Sequence, residues 1–199
     1  RIVRSNVPVP VVQMQIPPSD FAASRGFSLQ APTTGFNFLG VGAGATPSDS
    51  NASVGNNQVV ETVNVRYQVW SLNRVTWSAT SLLGPVNINT LWSGFTGPCQ
   101  TQNSGDPIVL YDKIANRWLI SQFTTGTSGG FYWQCAAVST TPNAIGTYAR
   151  YGFAVPSGRF GNYPHFGVWT DAYYMMGHAF QSTAGGYVAA MFAAMDRKK

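Results

Sequence analysis

The chain has 199 residues, of which only 10% are charged and 14% aromatic, and it carries a net charge of +5. That length buries a core of its own and makes one domain, or two. The twelve Lys and Arg are scattered, with Arg1 and Arg4 opening the chain and Arg197, Lys198 and Lys199 closing it. No basic stripe is interleaved with aromatics, which excludes a nucleic-acid partner, and no apolar run reaches the roughly 18 residues of a membrane span.

Gly (21) and Pro (12) are frequent, and Ser, Thr, Asn and Gln fill the polar positions. This is the profile of a β-rich, turn-rich protein, expected to be secreted or at a cell surface. The chain starts at Arg1 and not at Met, so an export signal is expected to be already removed. It stops directly after the apolar run "MFAAMD", as expected of a piece of a longer protein.

Residues 1–45 read as an extended arm. Pro8, Pro10, Pro17 and Pro18 forbid a helix and a central strand. Val11, Val12, Met14 and Ile16 are expected to pack the arm along a neighbouring surface. "GVGAG" (40–44) follows no strand and opens no helix, so it is no phosphate loop. "PSDSNASVGN" (47–56) is a cluster of side-chain oxygens without the order of a calcium loop. Asn51-Ala52-Ser53 within it is formally a glycosylation sequon.

From residue 46 to 199 short apolar runs alternate with Asn, Asp, Gly, Ser and Pro. The runs are 58–65, 67–72, 75–82, 107–112, 117–123, 131–140, 147–153, 165–169, 172–180 and 187–196. Their Val, Ile, Tyr, Phe and Trp content predicts strands. "YVAAMFAAMD" is ambiguous between strand and helix because of its alanines. Cys99 and Cys135 flank the first two strands of one set. They are either two buried thiols or a disulfide, and the composition favours the disulfide.

A first-strand motif recurs. Asp106-Pro107 opens one set of runs and Tyr163-Pro164 opens another 57 residues on. "NNQVVETVNVRYQVWS" is a third, looser copy. Four meandering antiparallel strands in 45 to 60 residues define a β-propeller blade. The expected fold is all-β, about two and a half such blades, with a β-sandwich as the alternative.

The stretches "SDSNASVGNNQVVETVN", "GDPIVLYDKIANRWLISQF", "CAAVSTTPNAIGTYARYGF" and "YPHFGVWTDAYYMM" resemble a group of large, mostly uncharacterised secreted bacterial proteins. The resemblance covers roughly residues 47–197. It implies β-propeller blades, a paired Cys99 and Cys135 and a longer parent chain. It implies no reaction. The group often has Asp before the Tyr-Pro, where this chain has Asn162, and Lys after it, where this chain has His165. A metal or anion role at those positions is therefore in doubt. "DPIVLYD…RWLIS" is more distantly similar to five-bladed glycosidase and sugar-binding propellers.

Seven carboxylates are available. Asp49 and Asp106 both precede expected innermost strands, so they should converge at the axial mouth. There they could cap turns, hold a Ca²⁺, or act as acid and base on a glycoside. Asp112 and Asp171 read as turn residues. Asn162, Tyr163, His165, Trp169 and Asp171 are candidate ligand-binding residues. Tyr132, Trp133, Trp169, Tyr173 and Tyr174 are either a sugar platform or packing between blades. His165 and His178 lack metal-pair spacing, and no Gly-x-Ser-x-Gly elbow occurs. The expected function is an extracellular binding or scaffold module, for a glycan or a surface. The alternative is a glycan-active hydrolase or lyase. The expected partners are further blades of the same protein or other chains; no cofactor beyond Ca²⁺ is expected.

Overall fold

The computed structural model describes residues 35–42 and 44–197. The predicted packing of Val11, Val12, Met14 and Ile16 lies outside them. The described residues build eleven strands in three antiparallel sheets, each with its strands in sequence order. The first sheet is β1 (Asn51–Gly55), β2 (Gln58–Val63), β3 (Arg66–Asn73) and β4 (Ser78–Asn87). The second is β5 (Ile108–Asp112), β6 (Arg117–Phe123), β7 (Trp133–Ser139) and β8 (Tyr148–Ala154). The third is β9 (Phe160–Val168), β10 (Ala172–Phe180) and β11 (Tyr187–Asp196). The chain is all-β, and its sheets are meanders of the propeller-blade type.

Turn chemistry sets the hairpins. Asn56 and Asn57, both at positive φ, close β1–β2 as a two-residue turn. At β5–β6, Asp112 Oδ1 accepts the N–H groups of Ile114 and Ala115, and Asn116 takes the left-handed position. Asn73 and Trp77 repeat that arrangement at β3–β4. Gly55 is required where it stands, because a Cβ there would lie 2.2 Å from the Tyr111 ring.

The innermost strands solve an edge problem. β5 lies at the edge of its sheet, so alternate N–H groups have no strand partner. Val109 and Tyr111 donate instead to Asn51 Oδ1 and Ser53 Oγ of β1, at 2.8 and 2.9 Å. The first sheet is thereby stitched to the second. Between them lies the core, with Val60, Val69, Ile88, Val109, Trp118 and Ile120 fully buried. Trp118 packs 4.7 Å from Tyr111, and its Nε1–H donates to Pro142 O at 2.9 Å. Cys99, in a helical turn (Pro98–Thr101), is bonded to Cys135 of β7. Such a bridge forms in oxidising compartments.

Three expectations change, and the open reading of residues 187–196 is decided. Residues 51–55 are a strand, not part of an oxygen-rich loop, and the sequon Asn51 is engaged with β5. The looser first-sheet copy therefore begins one strand earlier than "NNQVVETV". β4 starts at Ser78 and runs through Pro85, which the outermost strand tolerates on its open edge. β9 starts at Phe160, so Tyr163-Pro164 does not open it. The pair sits in a bulge, where Asn162 to His165 spans one residue more than Met176 to His178 opposite. The alanine-rich run 187–196 is β11, because it pairs along its whole length with β10. The third sheet has three strands.

Candidate functional site

Asp49, Asp106 and Tyr163 occupy the same station in the three sheets, two residues ahead of Asn51, Ile108 and His165. The spacing is 57 residues, and all three have left-handed backbone, with φ of 40°, 42° and 53°. Asp tolerates that region, whereas for Tyr it costs about 1–2 kcal/mol. Hydrogen bonds run from sheet to sheet along this series. Tyr163 N–H donates to Asp106 Oδ2 at 2.8 Å. Asp106 N–H donates to Asn64 Oδ1 at 2.8 Å, and Asn64 Nδ2 donates to Asp49 Oδ2 at 2.6 Å. Asn64 is thus the relay between the two carboxylates, a role not read from the sequence.

Asp49, Asp106, Tyr163 and His165 line one cavity of about 190 Å³. Tyr163 is 54% exposed, and its ring lies 4.6 Å from His165 and 5.9 Å from His178. The two histidines therefore bracket it from neighbouring strands. Asn162 stays beside the cavity and accepts the Tyr163 N–H through Oδ1. Burial pushes the Asp106 carboxyl above its ordinary value, and the neighbouring Asp49 charge adds to this; the Tyr163 N–H works against both.

Trp169 and Asp171 do not join this site. They lie at the β9–β10 turn, roughly 13 Å or more along the strand from His165. Asp171 accepts the Tyr174 hydroxyl, and the Trp169 carbonyl accepts Arg197. The proposed aromatic platform is not one surface. Tyr132 packs on Phe160, Trp133 packs on the core, and Tyr173 is buried.

Asp112 does more than close a turn. It is fully buried, its Oδ2 accepts Tyr173 O–H at 2.9 Å, and it pairs with Arg197 Nη2 at 2.7 Å. Burial alone would raise its carboxyl. The N–H of Ala115, the Tyr173 hydroxyl, Arg197 and the N–H of Ile114 outweigh that and hold it below its ordinary value. Burial first, and then Asp112, push Tyr173 up to about 12. This cluster ties the second sheet to the third.

Among the described residues no three of His, Cys, Asp and Glu form a metal-ligand group. Asp49 and Asp106 supply two carboxylates to the six to eight oxygens that Ca²⁺ takes. No described helix is long and apolar enough to cross a membrane.

Asp106→Asn is expected to raise the melting temperature at pH 7 by about 2–4 °C, as for a gain of about 1 kcal/mol. Asn keeps the acceptor for Tyr163 and tolerates the left-handed backbone, while the repulsion from Asp49 goes. The folded-state pKa of Asp106 is raised, so its ionisation weakens the fold as pH rises through that value. The gain should therefore shrink at low pH, where the native residue is already protonated. Thermal melts at pH 7 and pH 3 check this.

Three antiparallel meander sheets of the blade type, with a cavity where their inner strands begin, define a propeller-type chain. No family model matches it, and no curated protein matches it. A similar solved structure is the GH43 endo-arabinanase from Bacillus licheniformis, at 13% identity, with 73% of this chain and 52% of that chain covered and a TM-score of 0.39. The chain thus spans about half the length of that enzyme.

Proposed function

We propose that the chain is a propeller-type binding module of the cell exterior, and that it takes a hydroxyl-rich ligand, the end of a glycan, at the mouth. The observation that carries this is the convergence of Asp49, Asp106, Tyr163 and His165 on one cavity. Carboxylates accept from sugar hydroxyls, and an exposed ring stacks on a sugar's C–H face. About 190 Å³ is below the range of drug-sized pockets and suits a single ring. The disulfide supports an exterior location, as does the resemblance to secreted bacterial proteins. The alternative, glycan cleavage, draws on the two carboxyls, Asp49 and Asp106, that line the same cavity. Binding is favoured because both carboxylates are held by the protein's own hydrogen bonds, Asp49 by Asn64 Nδ2 and Asp106 by the Tyr163 N–H. Cleavage sets them about 5–10 Å apart, across the scissile bond.

Calorimetric titration with a panel of neutral oligosaccharides is the test. At least one should bind, and Tyr163→Ala should weaken it at least tenfold. No binding by any member, or binding unaffected by the substitution, overturns the reading. Release of reducing ends that Asp49→Asn abolishes would replace it with the hydrolase.

A further inference from the structure

Two carboxylates are anchored at the mouth in a way that leaves them able to accept from a ligand. Asp49 Oδ2 accepts from Asn64 Nδ2 at 2.6 Å, and Asp106 Oδ2 accepts the Tyr163 N–H at 2.8 Å. Both residues line the cavity of about 190 Å³, together with Pro107, Pro164 and Tyr163. An ionised carboxylate only accepts, at about four lone-pair sites. A hydroxyl between two such groups offers one proton and turns its own lone pairs on acceptors. An ammonium group offers three protons and no lone pair, so it matches an acceptor-only site fully. Its bonds to carboxylates are also charge-assisted, and roughly twice as strong as neutral ones.

The aromatic group of the cavity points the same way. The Tyr163 ring is exposed, and the face of such a ring attracts a cation within about 6 Å of its centre. Its place is fixed by the bulge of β9, by its N–H on Asp106, and by His165 and His178 at 4.6 and 5.9 Å. The ring therefore stands beside the carboxylate that its own N–H anchors. Burial raises the Asp106 carboxyl and the Asp49 charge adds to it, and a cation seated beside both acts against both effects. The chain as a whole carries +5, so its overall field repels cations. A preference for a cation has to arise locally, at the cavity.

We propose that the glycan end taken at the mouth is an amino sugar, with its protonated amine between Asp49 and Asp106 and its ring against Tyr163. This rests on the mouth being the binding site, as proposed above, and names the class of sugar it selects. Sugars with a carboxylate are rejected, because their charge meets the two carboxylates of the site. Tenfold selectivity, about 1.4 kcal/mol, exceeds what a fully exposed ion pair contributes. It is expected here because the Asp106 carboxyl is half-buried and both acceptors are held in place.

The probes are matched methyl glycosides of gluco, galacto and manno configuration, titrated into the full chain by calorimetry at pH 6 and millimolar concentration. Each set holds the 2-amino sugar, its parent with a hydroxyl at that carbon, and the corresponding uronic acid. At least one amino glycoside should bind at least tenfold tighter than its parent, and the uronic acid at least tenfold weaker than the amino sugar. Asp106→Asn keeps the acceptor for the Tyr163 N–H and removes one charge, so it should cut the preference at least threefold. Parents that bind as tightly as the amino sugars overturn the proposal and leave the glycan-binding reading standing. Uronic acids that bind as tightly overturn it in the same way. A preference that survives both Asp106→Asn and Asp49→Asn also overturns it, because the amine then sits elsewhere. If none of the glycosides binds, the amino-sugar assignment falls, and the neutral oligosaccharide panel decides the wider reading by itself.

Discussion

Asp112→Asn is expected to lower the unfolding free energy at pH 7 by about 3–5 kcal/mol, the range for breaking one partner of a buried ion pair. The melting temperature should fall by roughly 10 °C or more. Asn can keep its oxygen on Ile114 and Ala115, so the turn itself survives. Its amide nitrogen then faces Arg197 Nη2 and the Tyr173 hydroxyl, where the native Oδ2 accepts from both. Donors meet donors, and the guanidinium charge is left without its counter-ion. Since the folded-state pKa of Asp112 is lowered, its contribution is present above the ordinary value of 3.8 and is lost as pH falls through the folded value. The gap between native and variant should therefore be constant from pH 8 to 5 and close below that. Urea unfolding at pH 7, 5 and 3 measures it. A gap that stays constant down to pH 3 would assign the effect to hydrogen-bond geometry, not charge. Adding Arg197→Met to the variant should cost less than the two changes separately, because the stranded charge is removed.

The reason this cluster escapes a reading of the sequence is distance along the chain. Asp112 stands 61 residues from Tyr173 and 85 from Arg197. The local signal, an Asp in "YDKIAN", explains the turn and nothing beyond it. The hairpin β5–β6 is legible because its strands are dense in β-branched and aromatic residues and its turn chemistry is local. β1 is not, because "NASVG" has a single β-branched residue. Its polar side chains face the next sheet, and Asn51 and Ser53 are there to complete the β5 edge. A strand whose task is to supply hydrogen bonds across an interface resembles a loop. β4 is displaced because propensity marks Val75 and Trp77, while the Asn73 turn places them outside the strand. At the mouth, the 57-residue recurrence links Asp106 to Tyr163, and Asp49 is legible as an Asp ahead of an innermost strand; the three line one cavity. Asn64 is missed because its role depends on two contacts in different sheets. Trp169 and Asp171 fall away because β9 begins three residues before Tyr163 and carries them to its far end.

Removing the disulfide, as Cys99→Ala/Cys135→Ala, is expected to cost about 3–4 kcal/mol by the loop-closure argument for its 36-residue separation. Both cysteines are buried, at 1% and 0% exposure, so lost packing adds to the loss of constraint. The link also bears on the mouth. It pins the connection between the first and second sheets, in which Asn103 Nδ2 donates to the Val65 carbonyl and Gln102 Oε1 accepts from Gly126. Val65 directly follows Asn64, the residue that joins Asp49 to Asp106. A loosened connection should thus reach the site before the fold fails. Two measurements separate these effects. Melting of the native chain with and without reductant gives the covalent contribution, and the alanine variant adds the packing contribution. Amide exchange at Asp106 and Tyr163 then reports on the mouth. At a temperature where the variant is still folded, those two amides should exchange at least several-fold faster than in the native chain, while Val109 and Ile120 in the core hardly change. If all four accelerate together, the disulfide stabilises only the whole fold and the mouth owes its geometry to Asn64 alone.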